Sequence, residues 1–202
     1  MAMHESIGRQ KAVIRKVVLG LRDALAPEER VSHSLLIKES LFKLPQFLSA
    51  RTVMFYVSFR SEVETHAMIR EALAAGKTVV VPITDMKSRR LVLSRLEDFN
   101  DDLAPGTWGI LEPKTEKIRP VSYHDINLVI APGAAFCANG NRIGYGGGFY
   151  DQLLRESKKS AVALAFEMQL LSDVPFRPEQ DVPVHYIITE KRVITCDAVS
   201  SQ

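Results

Sequence analysis

Five glycines fall within residues 140–148, in the run Asn139-Gly140-Asn141-Arg142-Ile143-Gly144-Tyr145-Gly146-Gly147-Gly148-Phe149-Tyr150-Asp151. Such a loop leaves backbone N–H groups uncovered and accepts positive φ, so it can wrap an anion at the start of a helix, and phosphate is the obvious guest. Arg142 adds a fixed cation with two-pronged geometry for phosphate oxygens. Asp151 places negative charge where the phosphate would sit. A Mg²⁺ ion bridging carboxylate and phosphate oxygens resolves that conflict; taken alone, Asp151 also reads as an ordinary acidic residue of a first helical turn. The loop is not a P-loop, because no Lys-Ser/Thr pair follows the glycines, and it breaks the G-x-G-x-x-G pattern at Phe149. A surface loop with turn glycines is the plain alternative.

The elements that must carry this loop follow from hydrophobic period. Ile7, Ile14, Val18, Leu21 and Leu25 recur at helical spacing, which predicts an amphipathic helix docked on something, with Lys11, Arg15 and Arg22 as a cationic row along one border of the apolar stripe. A second helix is predicted from near Pro27 to before Pro45. Residues 52–57 read as a strand, 65–75 as a helix closed by Gly76, and 77–81 as a strand, the βαβ signature of a parallel sheet. Further strands are expected at 91–96, 127–131, 161–165 and 184–189, with a helix at 147–156. Residues 85–90 and 100–120 read as rim loops. In such sheets ligands bind beyond the carboxyl ends of the strands.

Composition bounds the function. The 202 residues, 46% hydrophobic and 25% charged, suit a single domain spanning 1–202. A net charge of +2 and a pI near 8.5 fall short of the basicity expected of a nucleic-acid binder. No apolar run reaches the roughly 20 residues of a membrane span, since Pro132 and Gly133 interrupt 126–136, and the N-terminus lacks the pattern of a secretory signal. Cys137 and Cys196 stand far apart without a CxxC partner, so a reducing, cytoplasmic setting is expected.

Pro132-Gly133-x-Ala135-Phe136 followed by Gly140-Asn141-Arg142-x-Gly144-x-Gly146-x-Gly148-Phe149-Tyr150-Asp151 resembles the signature of the 5-formyltetrahydrofolate cyclo-ligase (methenyltetrahydrofolate synthetase) family. Lys11-Ala12-Val13-Ile14-Arg15 is similar to its Lys-x-x-x-Arg element. Ser58-Phe59-Arg60-Ser61-Glu62-Val63-Glu64-Thr65 is similar to its first strand-to-helix loop, and Gly109-Ile110-Leu111-Glu112-Pro113 to its Gly-Ile-x-Glu-Pro loop. The resemblance implies a three-layer α/β fold with a mostly parallel sheet, like that of the ribose-phosphate isomerase and CoA-transferase group, with N-terminal helices packed on it. It also implies ATP- and Mg²⁺-dependent ring closure on a reduced folate. ATP contacts carry over to Lys11, Arg15, Arg142, Ile143, Gly144, Tyr145, Gly146, Gly147, Gly148, Phe149 and Tyr150. Folate contacts carry over to Val57, Glu62 and the loop from Tyr145 to Phe149, and metal positions to Asp151 and Asp181. Arg142, Tyr150 and Lys11 are the implied catalytic residues. Small molecules are the expected partners of a monomer or weak homodimer.

The resemblance has departures. Gln180-Asp181-Val182-Pro183-Val184-His185 stands where the family usually runs His-Asp-x-x-x-Asp, and Gly147 and Phe149 stand where relatives carry Lys and Tyr. By spacing alone, Lys11 and Arg15 read as a solvated helix border and Glu62 as a helix-entry residue. Trp108 reads equally as a stacking platform or a loop anchor. Pro183 argues against a helical Asp181–His185 metal pair, leaving His185 structural; His66 and His124 read as surface or capping residues. A non-catalytic nucleotide or folate sensor on the same fold is the competing class.

Overall fold

Residues 2–196 are described in a computed structural model, with side chains from Ser6 onward. After α1 (Ala2–Asp23), prolines open the next two helices, α2 (Pro27–Lys43) and α3 (Pro45–Ser49). The fixed φ of proline suits a first helical turn, and Glu28, Glu29 and the terminal Lys43 complement the dipole of α2. The chain then alternates: β1 (Thr52–Met54), α4 (His66–Ala74), β2 (Thr78–Asp85), β3 (Arg90–Leu96), α5 (Phe99–Asp102), β4 (Leu103–Pro105), β5 (Leu111–Pro113), β6 (Leu128–Ala131), β7 (Ala135–Cys137), β8 (Arg142–Ile143), α6 (Phe149–Ser157), β9 (Ser160–Leu164), β10 (Leu170–Leu171), β11 (Tyr186–Ile188) and β12 (Val193–Thr195).

Seven strands form the main sheet in the order β12-β11-β9-β6-β1-β2-β3. Its inner pairs are parallel, with Val53 of β1 in register with Val79 on one side and Leu128 on the other, and the two outermost pairs are antiparallel. The period of two divides the strands between two cores. Val53, Val79, Val81, Leu128 and Ile130 pack with Ile37, Phe47 and Met68 of α2, α3 and α4, whereas Met54, Val80, Val129 and Ala131 pack with Leu153 and Leu154 of α6. This is the expected three-layer, mostly parallel arrangement.

Several expectations change. The strand expected at 77–81 runs on to Asp85, and residues 85–90 close a hairpin with β3, with Asp85 accepting from the Lys87 and Ser88 amides. The strand expected at 52–57 ends at Met54, although the Phe55 amide still donates to the Val80 carbonyl and Phe55, Tyr56 and Val57 stay buried. The rim segment 100–120 contains the β4–β5 hairpin. β7, β8 and β10 form a separate three-stranded sheet, and this sheet, rather than the main one, receives α1: Val18 packs with Ala135, Cys137, Ile143 and Val174. The helix is also turned relative to its apolar stripe, so that Leu21 is 52% exposed and Arg22 only 4%.

Candidate active site

The carboxyl ends of β1 and β6, the loop from β8 into α6, and the polar border of α1 enclose a cavity of about 940 Å³. Of the residues singled out from the sequence, Lys11, Arg15, Val57, Glu62, Arg142, Gly144 through Asp151, and Asp181 all line it. Ile143 does not: its side chain is 1% exposed in the small core under α1, and its carbonyl accepts from the Ala134 amide.

The glycine loop takes its shape from backbone that a side chain would strain. Gly148 is the N-cap of α6 at φ +72, and Gly140 sits at φ +92 where a Cβ would lie 2.3 Å from the Val184 carbonyl oxygen. Between them, Arg142 is turned inward with its side chain 2% exposed, donating through Nη2 to Asp151 at 2.9 Å while its buried Nε has no protein partner. Arg15 donates through Nε to the Gly144 carbonyl at 2.7 Å, and burial lowers its pKa.

Two carboxylates converge at the same end. Asp181 accepts from the ammonium of Lys11 and from the Arg177 amide at 2.6 Å. Asp151 accepts from the Val182 amide at 3.1 Å, which ties the first turn of α6 to the residue after Asp181. Among the described residues no group of three or more His, Cys, Asp or Glu side chains could hold a metal. The oxygen donors at this end are the two carboxylates Asp151 and Asp181, too few for a closed protein cage.

At the other end, Glu62 is fixed through both oxygens. Oε1 accepts from the Tyr145 hydroxyl at 2.5 Å and Oε2 from the Phe59 amide at 2.8 Å. Burial raises the Glu62 pKa, and these hydrogen bonds and the Arg22 charge oppose the rise. Tyr150 and the hydroxyl end of Tyr145, a residue otherwise 46% exposed, are pushed well above the usual phenol range by local burial and by the charge of Glu62, so both hydroxyls stay protonated.

The remaining candidates sort by their contacts. Gln180 accepts from the Arg177 guanidinium at 3.0 Å through its side chain and from Arg155 at 2.6 Å through its carbonyl. His185 accepts from the Ala161 amide at 3.1 Å through Nδ1, the structural role expected of it. His66, expected as a surface or capping residue, is half-buried at the first position of α4, where it lies 3.1 Å from the Ser58 carbonyl and packs against Phe99. Trp108, at φ +57 and 63% exposed on the cavity rim, does not anchor its loop by burial. Glu112 does that instead, accepting from the Thr84 amide at 2.9 Å and from Thr107. Sequence reasoning gave Glu112 no role, and it grouped Arg22 with the helix border although the side chain is buried.

The 5-formyltetrahydrofolate cyclo-ligase family profile matches residues 7–190. The mouse 5-formyltetrahydrofolate cyclo-ligase is 30% identical over 177 residues, covering 83% of this chain and 87% of its own, and the Escherichia coli K12 enzyme is 29% identical, covering 85% and 96%. Among solved structures, the 5,10-methenyltetrahydrofolate synthetase of Aquifex aeolicus superposes with a TM-score of 0.82 at 31% identity, covering 93% of each chain. That of Mycoplasma pneumoniae, at 20% identity and a TM-score of 0.72, shares the fold over 89% of this chain and 98% of its own.

Proposed function

The chain belongs to the 5-formyltetrahydrofolate cyclo-ligase family and is an enzyme, and from that premise we propose that it converts 5-formyltetrahydrofolate to 5,10-methenyltetrahydrofolate with ATP and Mg²⁺. The observation that carries the reading is the convergence of Lys11, Arg15, Arg142, Asp151 and Asp181 at one end of a cavity whose other end holds the Tyr145–Glu62 pair.

The formyl group on a pteridine nitrogen is a weak electrophile with no leaving group. In the proposed sequence its oxygen attacks the γ-phosphorus of ATP, the bond to the β-phosphate oxygen breaks, and ADP forms. The neighbouring arylamine nitrogen then attacks the formyl carbon of the imidate phosphate. The carbon–oxygen bond breaks, inorganic phosphate leaves with its bonding pair, and the arylamine proton is released as the methenyl bridge closes. No protein nucleophile is needed, so positioning and charge neutralisation carry the rate.

In this scheme Arg142, Lys11 and Arg15 neutralise the triphosphate. The buried Nε of Arg142, which has no protein partner, is a donor already desolvated and open to a phosphate oxygen. Asp151 and Asp181 would hold Mg²⁺, which supplies charge neutralisation at the phosphate oxygens. Tyr150 offers a hydroxyl that burial keeps protonated. Glu62, with lone pairs left beyond its two internal hydrogen bonds, receives the N–H donors of the pterin edge, and Val57 with Tyr145 to Phe149 flanks the folate. The protein works on small molecules as a monomer or weak homodimer. A cytoplasmic setting is supported by two buried thiols, Cys137 and Cys196, that form no disulfide.

The test is an incubation with 5-formyltetrahydrofolate, ATP and Mg²⁺, following the near-ultraviolet band of the methenyl product. A band that needs all three components supports the reading, and its absence at high enzyme concentration removes it.

A further inference from the structure

Arg22 is a buried cation that the proposed reaction does not use. It lies in the last turn of α1, seven residues past Arg15, and its side chain lines the cavity at the Glu62 end. Its Nε donates to Ser61 Oγ at 3.1 Å and its Nη1 donates to the Tyr145 hydroxyl at 2.8 Å. Ser61 in turn donates to Asp23, and Tyr145 donates to Glu62. Among the described residues no carboxylate pairs with the guanidinium directly; its hydrogen bonds go to these two hydroxyls, and its charge is felt by Glu62 beyond them.

A buried guanidinium is costly unless nearby groups compensate it, and the loss of one partner of a compensated set is felt by the others. Tyr145 can spend its single proton on one acceptor only. Because Arg22 supplies a donor to the phenolic oxygen, that oxygen acts as acceptor toward α1 and its proton is directed at Glu62. The chain Arg22→Tyr145→Glu62 therefore has one sense, and it crosses three segments: the end of α1, the glycine loop and the loop after β1. The same arginine also holds Ser61, the residue before Glu62, from the other side.

We propose that Arg22 is a positioning residue for the reduced folate: acting through the Tyr145 hydroxyl and Ser61, it sets where the Glu62 carboxylate points in the cavity. The proposal rests on the folate reading of the Glu62 end. It also gives α1 two tasks, since Lys11 and Arg15 of the same helix reach the phosphate end. A shift of α1 would thus move both ends of the site together.

Glu62 faces Arg22 from α1, Tyr56 from the segment after β1, Tyr145 from the glycine loop and Tyr150 from α6; Asp23 of α1 accepts from the neighbouring Ser61, and Arg60 and Glu64 stand on its own segment. Arg22 is the cation among them that lowers the Glu62 pKa. Without it the carboxyl protonates more readily. Folate binding that needs the carboxylate then fails at a higher pH than in the parent enzyme.

The test is steady-state kinetics of the full chain carrying Arg22→Met, Arg22→Lys, Tyr145→Phe and the Arg22→Met/Tyr145→Phe pair, with melting curves to confirm folding. Arg22→Met should raise KM for 5-formyltetrahydrofolate about tenfold or more, the lower end of what a charge-assisted hydrogen bond carries, while KM for ATP changes less than threefold. The acid limb of kcat/KM for folate should move to higher pH, and Arg22→Lys should restore that limb but only part of the KM, since an ammonium cannot span Ser61 and Tyr145 together. The double variant should be no worse than the poorer single one. Equal increases in both KM values, an unmoved acid limb or additive single effects would overturn the proposal. If Arg22→Met does not fold, Tyr145→Phe and Arg22→Lys carry the same comparison. Should the parent protein show no ring closure, it is the folate reading that fails; equilibrium binding of 5-formyltetrahydrofolate to parent and Arg22→Lys protein, compared across pH, then decides on Arg22, and equal affinities at every pH count against it.

Discussion

The ammonium of Lys11 pairs with the carboxylate of Asp181 although 170 residues separate them in the chain. A second pair, Arg142 with Asp151, lies at the same end of the cavity, with Asp151 bonded to the amide next to Asp181. Two of the three cations assigned to phosphate, Lys11 and Arg142, are thus each paired with a carboxylate assigned to metal, whereas Arg15 donates to the Gly144 carbonyl. In the proposed reaction Asp151 and Asp181 would turn to Mg²⁺ and Lys11 and Arg142 to the phosphates, so that neither pair of charges is left buried alone.

Lys11→Met should raise KM for ATP by roughly 10- to 100-fold, the range of a charge-assisted hydrogen bond worth about 1.5–3 kcal/mol, and should leave KM for folate within about threefold of its parent value. Steady-state kinetics at saturating Mg²⁺ makes the comparison. Equal loss for both substrates would remove Lys11 from the phosphate end.

Asp151→Asn should shift the Mg²⁺ titration of activity to higher concentration while the protein remains folded. The variant loses charge toward the ion but keeps an oxygen that can accept from the Val182 amide and Arg142. A titration that coincides with the parent's would contradict the metal role, whatever happens to kcat.

How much of this was legible in the sequence depends on the physical signal each part leaves. The inner strands announce themselves because parallel strands buried on both faces are continuous apolar runs, as at Leu128–Ala131. Strands as short as Arg142–Ile143 and Leu170–Leu171 leave no period to read, so the small sheet that receives α1 was missed. The orientation of α1 was misjudged for a related reason. Apolar spacing placed Leu21 inward, but the helix meets a narrow three-stranded surface through Val18, and the cationic border turns toward the cavity, burying Arg22. The glycine loop was visible because residue type alone carries its chemistry. Glu112 was not, since nothing in sequence tells a latch on the Thr84 and Thr107 amides from an exposed acid.

Glu112→Ala should lower stability by about 1–3 kcal/mol, because it leaves the Thr84 and Thr107 amides short of an acceptor. The loop bearing Trp108 should loosen with it. Thermal melting and the fluorescence of Trp108, the only tryptophan, report the two effects; an unchanged melting curve would show that the latch contributes nothing.

Stability should fall as pH drops below about 6.5. Burial lowers the pKa of His66 and His185 from the ordinary 6.5, and His185 accepts from the Ala161 amide only when Nδ1 is unprotonated. Below 6.5 the unfolded chain takes up protons that the folded chain resists, so the unfolded state gains, and the effect grows until the folded-state pKa values are passed. Melting temperature measured between pH 7.5 and 5.5 checks the sign for the parent and for His185→Gln, whose side-chain carbonyl can accept without titrating. A variant with the same pH slope as the parent would clear His185 of any share.

Whether phosphoryl transfer and ring closure are joined in this one cavity is read from the ratio of ADP released to methenyl product formed in the same reaction. One ADP should form for each 5,10-methenyltetrahydrofolate, with neither appearing when 5-formyltetrahydrofolate, ATP or Mg²⁺ is omitted. ADP release without ring closure, or ring closure that proceeds without ATP, would contradict that coupling.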